Sequence, residues 1–142
     1  MITDFSERLK ELLLDKGMSV EQLADAIGVA KATAYYWTTK PKHINRFNLI
    51  KVADFFDCRI EYLIGHTEDD TKVTPKLCPD FVMQVRKIMK EKSISTYKLE
   101  KTSKFKCSYF SKWKRGNEPS LQTLIDLAKI FDCTIDYLVG RE

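Results

Sequence analysis

Few side chains in this chain could carry out bond chemistry. There are two histidines, His43 and His66, and four cysteines, Cys58, Cys78, Cys107 and Cys133. No C-x-x-C pair occurs and no local motif joins a cysteine to a histidine, so a zinc site and a Cys–His nucleophile are not expected. Cys58 and Cys133 each follow Phe-Asp and precede an Ile two residues on, and read as small buried apolar groups. No Walker-type glycine loop, H-E-x-x-H or G-x-S-x-G is present. The chain reads as a non-enzyme without a cofactor. Its other chemical resource is positive charge, unevenly placed. Residues 1–75 carry 10 Lys and Arg against 12 Asp and Glu, a balance of −2. Residues 76–142 carry 14 against 8, a balance of +6, and the whole chain stands at +4. Such a second half suits a polyanion, nucleic acid first and a membrane surface second. A solvated lysine-rich face is the plainer alternative.

The elements that must position those cations come twice. Phe56-Asp-Cys-Arg-Ile-Glu-Tyr-Leu-Ile-Gly65 returns as Phe131-Asp-Cys-Thr-Ile-Asp-Tyr-Leu-Val-Gly140. The copies align at an offset of 76 from Phe5/Phe81 to Trp37/Trp113 and of 75 from Leu49/Leu124 onward. One extra residue between Thr38 and Arg46 of copy one accounts for the change, in what reads as a loop. The chain is therefore two modules, 1–65 and 80–142, joined by a linker at 66–79. The linker holds Glu68-Asp69-Asp70, read as a solvated acidic stretch. A flexible segment of that length has an r.m.s. span of about 20 Å. Modules this small bury only about 60% of their unfolded surface, so mutual support or oligomerisation is expected.

Each copy reads as five short helices, an all-α fold with no alternating strand pattern. In copy one, Phe5, Leu9, Leu12, Leu13 and Lys16 give a 3,4 spacing over about 4–16, with Asp4 as cap and Gly17 as stop. Ser19-Val-Glu-Gln22 forms a capping box for a second helix that ends before Gly28. Further helices follow at about 31–38, at 46–56 behind the cap Asn45, and at 60–64 before Gly65. In copy two Asp80, Ser95, Ser120 and Thr134 are the caps, and Val85, Ile88, Met89, Leu99, Phe110, Leu124, Leu127 and Ile130 form the core stripe. No secretory leader opens the chain and no apolar run approaches a membrane span, so free thiols in a reducing cytoplasm are expected.

The middle of each copy carries the decisive pattern. Leu23-Ala24, Gly28-Val29, Trp37 and Tyr62-Leu63-Ile64-Gly65 stand in copy one. Leu99, Ser108, Ser111-Lys112-Trp113, Arg115-Gly116, Pro119-Ser120 and Asp136-Tyr137-Leu138-Val139-Gly140 stand in copy two. Both copies resemble the lambda-repressor-like, Cro-like (XRE) helix-turn-helix family over their whole length, the linker excepted. The resemblance implies two tandem five-helix domains, prokaryotic or phage in type, that bind double-stranded DNA and regulate transcription beside the nucleoid.

Residue chemistry fits that implication. Small Ala24 lets the second and third helices approach, and Gly28 can take the left-handed conformation of a sharp turn. Leu23, Ala34 and Trp37 face inward, leaving Lys31, Ala32, Tyr35 and Tyr36 outward for a major groove. First-turn amides of the second helix suit a phosphate. In copy two the same geometry turns Cys107, Ser108, Ser111 and Lys112 outward. Lys106, Lys114 and Arg115 flank them and neutralise phosphates. The serines suit base edges and Lys112 suits guanine O6/N7.

Copy two departs from the family at Glu100, where Ala is usual, and at Lys104, where Gly is usual, so its turn is expected to be rebuilt. Copy one has Thr38-Thr39-Lys40 in place of R-G and Ala30 in place of a capping Ser. With Tyr35 and Tyr36 outward and only Lys31 nearby, copy one suits a protein interface as well as DNA. Two functions stay open: a DNA-binding regulator using two non-identical modules, and a protein-interaction adaptor, with a homodimer or protein partner through copy one.

Overall fold

The computed structural model describes residues 4–142, and every regular element among them is helical. The chain divides into two compact units, Met1–Pro75 with Ser120–Gln122, and Lys76–Pro119 with Thr123–Glu142. Copy one contains α1 (Phe5–Lys16), α2 (Val20–Ile27), α3 (Lys31–Thr39), a 3₁₀ turn at Pro41–His43, α4 (Arg46–Phe55) and α5 (Ile60–Leu63). Copy two contains α6 (Phe81–Glu91), α7 (Thr96–Thr102), α8 (Cys107–Lys114), α9 (Leu121–Phe131) and α10 (Ile135–Val139). The extra residue of copy one falls where the chain winds the 3₁₀ turn, with Pro41 opening it.

Short polar side chains start most of these helices. Asp4, Asn45, Asp80, Ser95 and Thr134 each accept a hydrogen bond from the amide three residues on. Ser19 and Gln22 close the full capping box at α2. Each such cap contributes about 1 kcal/mol to a helix too short to be stable alone. The apolar faces then close the cores. In copy one Phe5, Leu9, Leu13, Leu23, Ala24, Ala34, Trp37, Leu49, Val52, Ile60 and Leu63 are buried. In copy two Phe81, Val85, Ile88, Met89, Leu99, Phe105, Phe110, Trp113, Leu124, Leu127 and Leu138 are buried, while Ile130 is half-buried. Fully burying each large aliphatic or aromatic side chain stabilises by roughly 1.5–3 kcal/mol.

The repeat extends to backbone strain. Asp57 and Asp132, equivalent in the Phe-Asp-Cys motif, both take left-handed φ angles of 51° and 50°. That twist lets the next amide reach back, Cys58 N to Ala53 O at 3.1 Å and Cys133 N to Ala128 O at 3.0 Å. Aspartate tolerates this region better than most residues, at a cost of about 1 kcal/mol. The first helices are anchored alike. Arg8 Nε donates to Tyr62 O at 3.0 Å, and Gln84 Nε2 donates to Tyr137 O at 2.8 Å.

Part of the acidic connector pairs with the first unit, while Glu68, Asp69 and Asp70 all stay exposed to solvent. Glu68 pairs with buried Arg8 at 3.0 Å, and Asp69 pairs with Arg59 at 3.0 Å. The Val73 amide donates to Asp57 O at 2.9 Å, and Lys72 Nζ to Phe56 O at 3.4 Å. A buried guanidinium recruits countercharge from whichever chain passes it, and the chain passing Arg8 is the connector.

Candidate nucleic-acid interface

In copy one α2 packs against α3, and Ala24 on the first and Ala34 on the second are both fully buried. Neither side chain reaches past its Cβ, so the helices approach closely. Gly28 makes the turn at φ 75°. Leu23 and Trp37 are buried beneath, and Lys31, Ala32, Tyr35 and Tyr36 are exposed along α3. Tyr35 and Tyr36 remain 50% and 48% exposed. The Tyr35 hydroxyl donates to Glu21 in the first turn of α2, and the Tyr36 ring meets His43 edge-on at 5.7 Å. α3 begins after Ala30 with no side-chain cap. This face is aromatic, with a carboxylate beside it.

Copy two builds a different face on the same frame. α8 is anchored by buried Phe110 and Trp113, whose rings stand 5.3 Å apart, and by Phe81 edge-on to Trp113 at 5.0 Å. Those anchors turn Cys107, Ser108, Ser111, Lys112, Lys114 and Arg115 to solvent. Two serine hydroxyls with both donor and acceptor capacity thus share a helix face with cations. Lys112 Nζ lies 5.9 Å from the Tyr109 ring centroid. Lys106 Nζ instead reaches back to the α7 end, donating to Glu100 O at 2.5 Å and Ser103 O at 3.4 Å. Its ammonium therefore sits at the turn.

The turn between α7 and α8 has no glycine and no left-handed residue. Side chains hold it instead. Ser103 Oγ donates to Leu99 O at 2.6 Å and accepts from the Phe105 amide at 3.1 Å, while Phe105 fills the core. Glu100 Oε1 accepts from the Cys107 amide at 2.8 Å. Hydrogen bonds from the Cys107 thiol and amide, aided by the Lys106 charge, hold the Glu100 carboxyl below its ordinary range. The same bond, with burial, pushes the Cys107 thiol up, against a smaller opposing pull from Arg86. Lys104 is bonded to Asp126 at 2.8 Å, and that bond raises its pKa.

Arg86 and Lys90, one helical turn apart on α6, are cations that the sequence reading passed over. Arg86 lies 4.9 Å from the Phe110 ring centroid. With Met83, Thr96, Cys107, Phe110, Ser111 and Lys114 it lines a recess of about 630 Å³ along α8. A smaller hollow of about 210 Å³ joins Arg86 and Lys90 to Ser95 and Thr96 at the start of α7. Their i, i+4 spacing on the outer side of an amphipathic helix is the signal that could have found them. Among the described residues no cluster of three His, Cys, Asp or Glu could hold a metal ion, and no helix is long and apolar enough to cross a membrane.

Each half is similar to known helix-turn-helix proteins. Residues 9–63 match a helix-turn-helix family model, and residues 84–142 match the model of a Cro/C1-type helix-turn-helix DNA-binding domain. An uncharacterized HTH-type transcriptional regulator of Bacillus subtilis (strain 168), YobD, is 30% identical over 79 residues, spanning 55% of this chain and 70% of that protein. No solved structure matches significantly. Two helix-turn-helix matches in tandem, the second of Cro/C1 type, place this chain in the helix-turn-helix family.

Proposed function

We propose that the chain is a sequence-specific regulator of transcription that binds double-stranded DNA through two non-identical modules, residues 1–65 and 80–142, joined by residues 66–79. The observation that carries the reading is the face of α8, where Ser108, Ser111 and Lys112 are exposed over the buried anchors Phe110 and Trp113. In this reading α8 lies in the major groove. Ser108, Ser111 and Lys112 address base edges, and Cys107 touches the groove wall. Lys106, Lys114 and Arg115, with Arg86 and Lys90, neutralise phosphates on either side. α3 presents Lys31, Ala32, Tyr35 and Tyr36 to a second segment of duplex. Because the two faces differ, the preferred site is asymmetric. The protein works in the cytoplasm, on the nucleoid.

Selection of bound duplexes from a randomised pool, followed by gel shift, tests this. The expected result is an asymmetric consensus bound with steep salt dependence. A perfect inverted repeat would count against two distinct readers, and no shift of genomic fragments at low salt would reject DNA binding.

A second reading concerns copy one, whose large aromatic side chains Tyr35 and Tyr36 are half-exposed on α3, with Glu21 bonded to Tyr35. There copy one is a docking module for a protein partner or a second chain. It predicts that Tyr36→Ala leaves DNA affinity unchanged and abolishes a protein complex.

A further inference from the structure

We propose that Glu100 is the positioning residue for the DNA-reading helix of copy two, capping α8 from the preceding helix and so fixing where Ser108, Ser111 and Lys112 are presented. The proposal rests on the reading of α8 given above. Its basis is the geometry of the turn. The first amides of a helix have no partner within the helix. Lys106 stands at the capping position of α8 and offers no side-chain acceptor. Glu100 supplies one across seven residues, 2.8 Å from the Cys107 amide. The same residue is held from its backbone side, where its carbonyl accepts from Lys106 Nζ. Ser103 closes the interval by bonding Leu99 O and the Phe105 amide.

Copy one solves the same problem differently. Ala24 stands where copy two has Glu100, Gly28 makes the turn by its left-handed backbone, and α3 is left without a side-chain cap. In copy two a set of side-chain bonds replaces the backbone freedom of glycine. The α8 start is therefore set by one carboxylate, and losing that acceptor frees the first turn that carries Ser108.

The carboxylate has a second effect. It occupies the positive end of α8, which otherwise attracts phosphate without regard to sequence. Glu100 thus works against indiscriminate backbone binding while it holds the base-reading side chains in place. Amide and charge are separable by substitution. Glu100→Gln keeps a carbonyl oxygen for the cap and removes the charge, whereas Glu100→Ala removes both.

The probe is a duplex recovered by the wild-type chain from a randomised pool, competed against poly(dI-dC). Glu100→Gln is expected to bind both DNAs more tightly and to keep their ratio within about two-fold. Glu100→Ala is expected to lower that ratio by about five-fold, the loss of one cap. A wild-type chain with no preference between the two DNAs would sink the DNA reading itself. A wild-type chain that discriminates, with Glu100→Ala discriminating equally well, would sink only the role of Glu100. A second measurement needs no DNA. Iodoacetamide labelling of Cys107, followed by peptide mapping to separate Cys58, Cys78 and Cys133, reports the contact directly. Besides Glu100, the charged groups around this thiol are Arg86 and Asp80 on α6 and its start, Lys114 on α8 and Lys106 at the turn. Labelling at neutral pH should be at least about three-fold faster in Glu100→Gln, since the neighbouring negative charge is gone. An unchanged rate in a variant with wild-type circular dichroism overturns the proposal.

Discussion

The Arg8 guanidinium lies 3.8 Å above the ring centroid of Tyr62 while its Nε donates to the Tyr62 carbonyl oxygen at 3.0 Å. One side chain thus clamps α1 to α5 by face and by edge. Its remaining nitrogens meet Glu11 at 3.2 Å and, from the connector, Glu68 at 3.0 Å. The Glu68 side chain is 69% exposed, so that ion pair alone is worth at most about 1 kcal/mol. Arg8 itself is buried and loses much more when truncated.

Arg8→Ala should therefore lower stability by about 3 kcal/mol, combining lost stem packing, charged hydrogen bonds and the cation–π contact. Glu68→Gln should cost under about 1 kcal/mol. Arg8→Gln should recover part of the loss, because Gln84 makes the equivalent bond to Tyr137 O in copy two. Urea midpoints of the three variants decide the order, and equal losses for Arg8→Ala and Glu68→Gln would contradict it.

Left-handed backbone positions give opposite expectations depending on what occupies them. Asp57→Gly and Asp132→Gly should each stabilise by up to about 1 kcal/mol, since glycine adopts the observed φ without strain. Gly140→Ala should destabilise by about 3 kcal/mol. Its φ is 90°, and a Cβ there would stand 2.3 Å from Cδ of the Pro79 ring, which cannot swing away. Gly28→Ala meets no atom within 4 Å and should cost only the strain, about 1 kcal/mol. Thermal melting of the four variants checks the signs.

For DNA, Lys112→Ala should relax base preference at one or two positions of the selected site and cost about 1–3 kcal/mol there. Arg115→Ala should weaken binding to every sequence alike and reduce the slope of log K against log salt by about 1. Affinity measured on matched and mismatched duplexes at four salt concentrations separates the two roles, and identical profiles would refute the division.

The Glu100 cap predicts an acid limit. A carboxylate whose pKa in the folded chain is depressed stabilises above its unfolded pKa, and the contribution is lost as pH falls through the folded value. The Cys107 amide should thus be most protected from exchange near neutrality and lose part of that protection below the ordinary carboxylate range, as the charged acceptor becomes a neutral carbonyl. In Glu100→Gln that acid step should vanish. Hydrogen exchange followed by NMR at several pH values measures it.

What the sequence revealed about the fold was the part encoded locally. Asp4, Ser19 with Gln22, Asn45, Asp80, Ser95 and Thr134 lie within three residues of the amides they accept from, so a short motif suffices to find them. The inward set Leu23, Ala34 and Trp37 follows from helical period and is buried. The rest depends on contacts that no local pattern spells. Glu100 registers in sequence only as a departure from Ala, and its purpose appears when Cys107 comes back to it across a turn without glycine. Arg86 faces α8 from another helix. Glu68 lies 60 residues from Arg8, and its acidic neighbourhood has the composition of a solvated tether.

The paired aspartates at 57 and 132 have one more implication. Each copy ends its fourth helix with the same unfavourable backbone twist, made by the same residue, although the surfaces of α3 and α8 share almost nothing. A duplicated gene segment would leave that signature: the joints stay as inherited because the interior is built upon them, while the outer faces drift apart at no expense to the scaffold.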